Sequence, residues 1–68
     1  MRYRVTVLDR ENMPIPKLCA SVVGFNRALF HAEHVSDKAR LRGIDLDRVE
    51  IRNETGELQA VIHGRKNS

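Results

Sequence analysis

His31 and His34 stand three residues apart, a spacing that lets two imidazoles reach one metal ion from the same side of a helix. His63 would have to supply a third ligand from far along the chain, and no cysteine or aspartate is placed to complete a four-ligand shell. No metal site is therefore expected. Cys19 lies near the start of a helical pattern, where a thiol loses its proton more readily. It falls among apolar positions, however, and His31 and His34 lie three turns or more away on another face. It reads as a small buried hydrophobe rather than a nucleophile. Asp45 and Asp47 flank Leu46 in a loop, and nothing marks them as an acid and base pair. Gly24, Gly43, Gly56 and Gly64 are scattered, so there is no glycine-rich phosphate loop. The chain is expected to have no catalytic residue, no cofactor and no small-molecule substrate, and not to be an enzyme.

The remaining polar chemistry is cationic. The 68 residues carry twelve Lys and Arg against nine Asp and Glu, a net charge of +3, with a pI near 9.6. Nine of the twelve cations are Arg, the residue suited to planar, bidentate contacts with phosphate or carboxylate. Two groups stand out from an otherwise mixed surface. Arg2, Arg4, Arg48 and Arg52 fall on one face of predicted strands. Lys17, Arg27, His31 and His34 fall on one arc of a predicted helix, separated by Ala20 and Gly24 and with no acid among them. Both groups are candidate contacts to nucleic acid or to an acidic partner. Stacking on bases needs exposed aromatic rings, and Tyr3, Phe25 and Phe30 all lie on faces expected to be covered. Contact through phosphates, without reading sequence, is the form such binding would take.

The elements that must carry these residues follow from periodicity. Residues 2–9 alternate, with Tyr3, Val5 and Val7 on one side and Arg2, Arg4, Thr6 and Leu8 on the other, which predicts a half-buried strand. Asn12, Pro14 and Pro16 make the next stretch a connector. Residues 16–34 then read as one long helix, with Leu18, Val22, Phe25, Leu29 and Ala32 at three- and four-residue spacing. Ser36 looks like the cap of a short second helix over 36–42, stopped by Gly43. Two further strands, 47–52 and 57–63, flank a turn at Asn53-Glu54-Thr55-Gly56. A four-residue loop pairs Ile51 with Leu58 and Val49 with Ala60. Residues 64–68 read as a flexible tail. The expected fold is a single α+β domain of βαββ order: a three-stranded mixed sheet whose first two strands lie parallel, with the long helix and the short one packed on one face.

The predicted long helix has too much apolar surface for so small a chain. Besides the main stripe, Cys19, Val23 and Phe30 form a second one about 100° around the wheel. Residues 35–46 or another chain must cover it, which makes these three residues the candidate protein interface. The first expectation is therefore a non-enzymatic protein-interaction or inhibitor-like regulatory module, homodimeric, of the kind found among accessory proteins of phages and mobile elements. The alternative is a nucleic-acid-binding transcriptional regulator. Residues 2–8 resemble the dimer strand of the ribbon-helix-helix repressors, in that Arg2, Arg4 and Thr6 project from one face. The resemblance ends at residue 8, because two prolines and a terminal hairpin do not fit that fold. No run approaches the roughly 18 apolar residues of a membrane span, so no membrane partner is expected. The single cysteine and the lack of a leader-like apolar run point to the cytoplasm.

Overall fold

The computed structural model describes residues 1–64. Its elements are β1 (Arg2–Leu8), a 3-10 turn (Pro16–Leu18), β2 (Ala20–Val23), α1 (Phe25–Leu41), β3 (Arg48–Arg52) and β4 (Leu58–His63). The α+β class holds, but the sheet has four strands in the order β2-β1-β3-β4, not three. Every neighbouring pair is antiparallel. β1 and β3 are therefore not the parallel pair the sequence suggested. The helical crossover instead joins β2 to β3, which run parallel to each other with β1 between them.

The expected helix over 16–34 is the main departure. Nearly its first half is a 3-10 turn and a strand, and α1 begins only at Phe25. Gly24 makes the junction, with φ 92° and ψ 134°, a conformation that residues with a Cβ rarely adopt. Val22 and Val23, stiff at χ1, suit the strand better than a helix. The helix then runs through Ser36, so residues 36–42 are not a second helix but its last turns. Gly43 does end it, at φ 71°. Ile44 N–H donates to Ala39 C=O (2.8 Å), the six-residue closure of a Schellman end.

The connector is also ordered. Asp9 Oδ1 accepts from the amides of Glu11 (2.9 Å) and Met13 (3.0 Å). This tightens a turn in which Asn12 takes φ 64°. Ile15 N–H then donates to Val7 C=O (2.8 Å). Cys19 Sγ accepts from Val7 N–H (3.4 Å) and donates to Ile15 C=O (3.3 Å). The thiol thus stitches β1 to the connector where the regular β1–β2 ladder has ended at Val5 and Ala20.

One face of the sheet takes α1 through Ala28, Ala32, Val35 and Ala39, all buried. Three alanines in that set let the helix axis come close to Val5, Val7, Val49 and Ile51, which are fully buried beneath it. The β3–β4 turn does not close as the expected four-residue loop: Asn53 N–H donates to Glu57 C=O (3.0 Å), and Arg52 faces Leu58. Its register differs, because the ladder is irregular between Ile51 and Arg52. Ile51 pairs with Ala60 and Val49 with Ile62, rather than with Leu58 and Ala60. Leu58 is 44% exposed as a result. The tail assigned to 64–68 lies, beyond Gly64, outside the described residues.

Candidate nucleic-acid interface

Alternation that sends Tyr3, Val5, Val7, Val49 and Ile51 toward α1 sends Arg2, Arg4, Arg48 and Arg52 to the other face, which no helix covers among the described residues. The register sets these residues in rows across the strands. Val23 lies beside Arg2, then Ser21 beside Arg4 beside Arg52, with Leu58 next. Further along, Thr6 sits beside Glu50 beside Val61, and Leu8 beside Arg48 beside His63. All four arginines expected on the strands thus come together on one open surface. Leu8 is nonetheless buried there, next to its bridge partner Pro14.

The four differ in how far they are already engaged. Arg48 donates from Nη1 to Asp47 (2.8 Å), from Nε to Glu50 Oε2 (3.1 Å) and from Nη2 to Asn12 Oδ1. Its hydrogen bond to Asp47 above all, and then that to Glu50, raise its pKa above the ordinary arginine value. Arg52 donates from Nη2 to Glu50 Oε1 (3.2 Å) and from Nη1 to Gly56 C=O (2.9 Å). Among the described residues, the side chains of Arg2 and Arg4 make no ion pair or hydrogen bond; only the Arg2 backbone N–H is used, by Glu54 (3.0 Å). Arg48 therefore fastens the connector to the sheet, while Arg2 and Arg4 face solvent with their donors free.

Glu50 sits at the centre of this face with a side chain only 13% exposed. Burial by itself would push its carboxyl up, but the hydrogen bonds from Arg48 and Arg52 outweigh that and hold it below the usual carboxylate value. A carboxyl with a depressed folded-state pKa stabilises the fold fully above its unfolded value, and that contribution is lost as pH falls through the folded value. Wild type is accordingly expected to lose more stability than Glu50→Gln as pH drops from about 5 to about 3, in the range below the unfolded carboxyl pKa of 4.5. Urea melts of both proteins across that range measure it; parallel acid limbs would mean that the ladder contributes nothing.

The helix arc is not assembled. Lys17 belongs to the 3-10 turn and is separated by β2 from Arg27, His31 and His34, which lie on α1. Arg27 and His34 are exposed, and His34 stacks on Phe30 with ring centroids 6.3 Å apart. His31 is half-buried with Nε2 unpartnered among the described residues. No group of three potential metal ligands occurs among those residues. The second apolar stripe is dispersed as well. Cys19 is half-buried and engaged with β1, Val23 is 58% exposed on the open sheet face, and Phe30 is 70% exposed on the outer side of α1. Val35 and Ala39, expected to cover that stripe, enter the main core instead, and Leu41 is exposed.

A cleft lies between the C-terminal half of α1, residues 43–46 and the end of β4. Its Arg10 and Asp45 pair at 2.7 Å, and acids and bases alternate around it, so it presents no field of one sign. Ser21 was not foreseen as part of a site, because a helical reading of residue 21 hides the fact that it neighbours Arg4. Compared with protein-family models, with curated proteins and with solved structures, the chain shows no significant match.

Proposed function

We propose that this chain is a small non-enzymatic binding module that holds the phosphate backbone of nucleic acid against the open face of its sheet. The observation that carries the reading is Arg4 directly opposite Arg52, with no acid in that row and with Arg2 two residues along the same strand, where the Glu54 carboxylate accepts from its backbone amide. Like charges placed directly opposite each other destabilise a sheet. Glu50 compensates Arg52 (3.2 Å) but not Arg4, and a position that breaks a local rule is where a ligand's contribution is expected. No aromatic ring joins the arginines: Tyr3 turns to the helix side and packs edge-on against Phe25, centroids 5.5 Å apart. Recognition would thus rest on charge and geometry, with no stacking and no readout of bases.

The protein-interaction reading retains one specific support, the exposure of Phe30 (70%) and Leu41 (82%) on α1. They are eleven residues apart and therefore share a side of the helix. Its original basis, one surface formed by Cys19, Val23 and Phe30, is not how those residues lie. The nucleic-acid reading is therefore placed first.

Fluorescence anisotropy with a labelled random-sequence DNA duplex tests it. With about two phosphates neutralised, a fourfold rise in salt is expected to weaken binding roughly tenfold, since each contact contributes about 0.9 to the log–log slope. Arg2→Gln together with Arg4→Gln should abolish most of that dependence without unfolding the chain, because both positions face solvent. Absence of binding at low salt, or binding indifferent to salt, rejects the reading.

A further inference from the structure

We infer that Arg4 and Arg52 form a seat for one phosphate group, with Ser21 at its side and Glu50 fixing one of the two guanidiniums. The identity of the ligand as a phosphodiester rests on the nucleic-acid reading above; the seat itself rests on the sheet register. Residues directly opposed on antiparallel strands hold their Cβ atoms about 5 Å apart on the same face, so the two side chains leave the surface side by side. A single tetrahedral anion can accept hydrogen bonds from both forks, a geometry that guanidinium serves better than ammonium. Ser21 is Arg4's partner on the other side. It is exposed, and its hydroxyl makes no hydrogen bond among the described residues.

The two arginines are not equivalent. Arg52 is held at two points, by Glu50 Oε1 and by the Gly56 carbonyl, and so loses little freedom on binding. Arg4 is unrestrained and closes on the anion from the other side. Glu50 does not neutralise the pair, because its second oxygen is already taken by Arg48 Nε. Asp47 and Glu50 together balance Arg48 and Arg52, and among the described residues the positive charge of Arg4 is left without a partner. Arg52 is in this respect a preorganised half of the seat and Glu50 its positioning residue.

Anisotropy with the same duplex, applied to Arg4→Gln, Arg52→Gln, the double variant and Arg40→Gln as a control on α1, separates a shared seat from independent contacts. Each single change in the seat is expected to weaken binding about tenfold and to lower the salt slope by about 0.9. The double variant should lose little more than either single, because one phosphate contact is lost only once. Losses that multiply, with a slope reduced by about 1.8, would mean two separate phosphates and overturn the seat. So would a marked loss of thermal stability in Arg4→Gln, which would make the pair structural. Inorganic tripolyphosphate titrated into the isotope-labelled protein tests the seat apart from nucleic acid. Amide shifts confined to Ser21, Arg4 and Arg52 and absent in Arg4→Gln support it even if the duplex fails to bind, in which case only the nucleic-acid reading falls. No shift at these residues rejects the seat whatever the duplex does.

Discussion

Truncating Ile51 to alanine is expected to leave the chain largely unfolded in buffer at room temperature. Ile51 is fully buried and is among the largest side chains in that state. It is flanked by Val5 on β1 and Ala60 on β4 and belongs to the same cluster as Ala28 and Ala32 of α1. Those alanines have no rotamers with which to fill a hole, and the four-stranded ladder holds the backbone in place, so the cavity would persist rather than collapse. Removing three buried carbons at such a site costs about 2–5 kcal/mol, the upper part of the range applying where relaxation is small. A domain of this length rarely has more than about 3–5 kcal/mol in all. Ile51→Val, at about 0.5–1.5 kcal/mol, should remain folded and shift the urea midpoint modestly. Circular dichroism of the two variants in a urea series makes the comparison. A cooperative, near-native melt for Ile51→Ala would show that the core rests elsewhere.

Gly24→Ala should be nearly as damaging, for a different reason. A Cβ at residue 24 would meet nothing within 4 Å, so packing is not the obstacle. The backbone is: φ 92° with ψ 134° is a region that costs a residue with a side chain about 1–3 kcal/mol. Alanine also has the highest helix propensity, about 1 kcal/mol better than glycine. It would therefore favour continuing α1 backwards through Val23 and Val22, against the β2 pairing with β1. The expected result is a fall in melting temperature on the order of 5–20 °C, at the several degrees per kcal/mol typical of domains this small. A D-alanine introduced at the same position by chemical synthesis prefers positive φ and should recover part of the stability, the remainder being lost because ψ 134° mirrors to −134°, off the main β region. If the D-alanine recovers nothing, the positive φ of Gly24 is not what the change disturbs.

That second prediction marks where the sequence stops being readable. Leu18, Val22, Phe25 and Leu29 satisfy the 3.6-residue period, and all four do turn toward the core cluster or its margin. They do so from three different elements, a 3-10 turn, a strand and a helix, and spacing alone cannot tell one element from three. The strand that was missed is four residues long, too short for alternation to register against a helical wheel. The local signals were chemical: Pro16 and Gly24 as boundaries, and two adjacent valines between them. Where alternation ran longer, in β1 and β3, both the strands and their outward faces were legible, and with them Arg2, Arg4, Arg48 and Arg52. What no pattern in one sequence reveals is which strands lie side by side. Arg4 meets Arg52 only because β1 takes the central place next to β3. Ser21 joins them only because residue 21 is in a strand at all.

The central place of β1 also has a consequence for how the protein is made. Translation delivers β1 before either of its neighbours, and the two arrive at very different times. β2 follows after a short connector, so a hairpin can form early. β3 must wait for all of α1, and joining distant segments carries the loop-closure cost that slows folding. Throughout that interval Tyr3, Val5 and Val7 lie along a strand whose second edge has no partner. A nascent chain halted within α1 would present that edge to whatever else is near, the situation in which strands pair with the wrong chain. The second edge of β1 is covered only when residues 48–52 have left the ribosome, so the order of synthesis, as much as the final packing, sets the risk this fold carries.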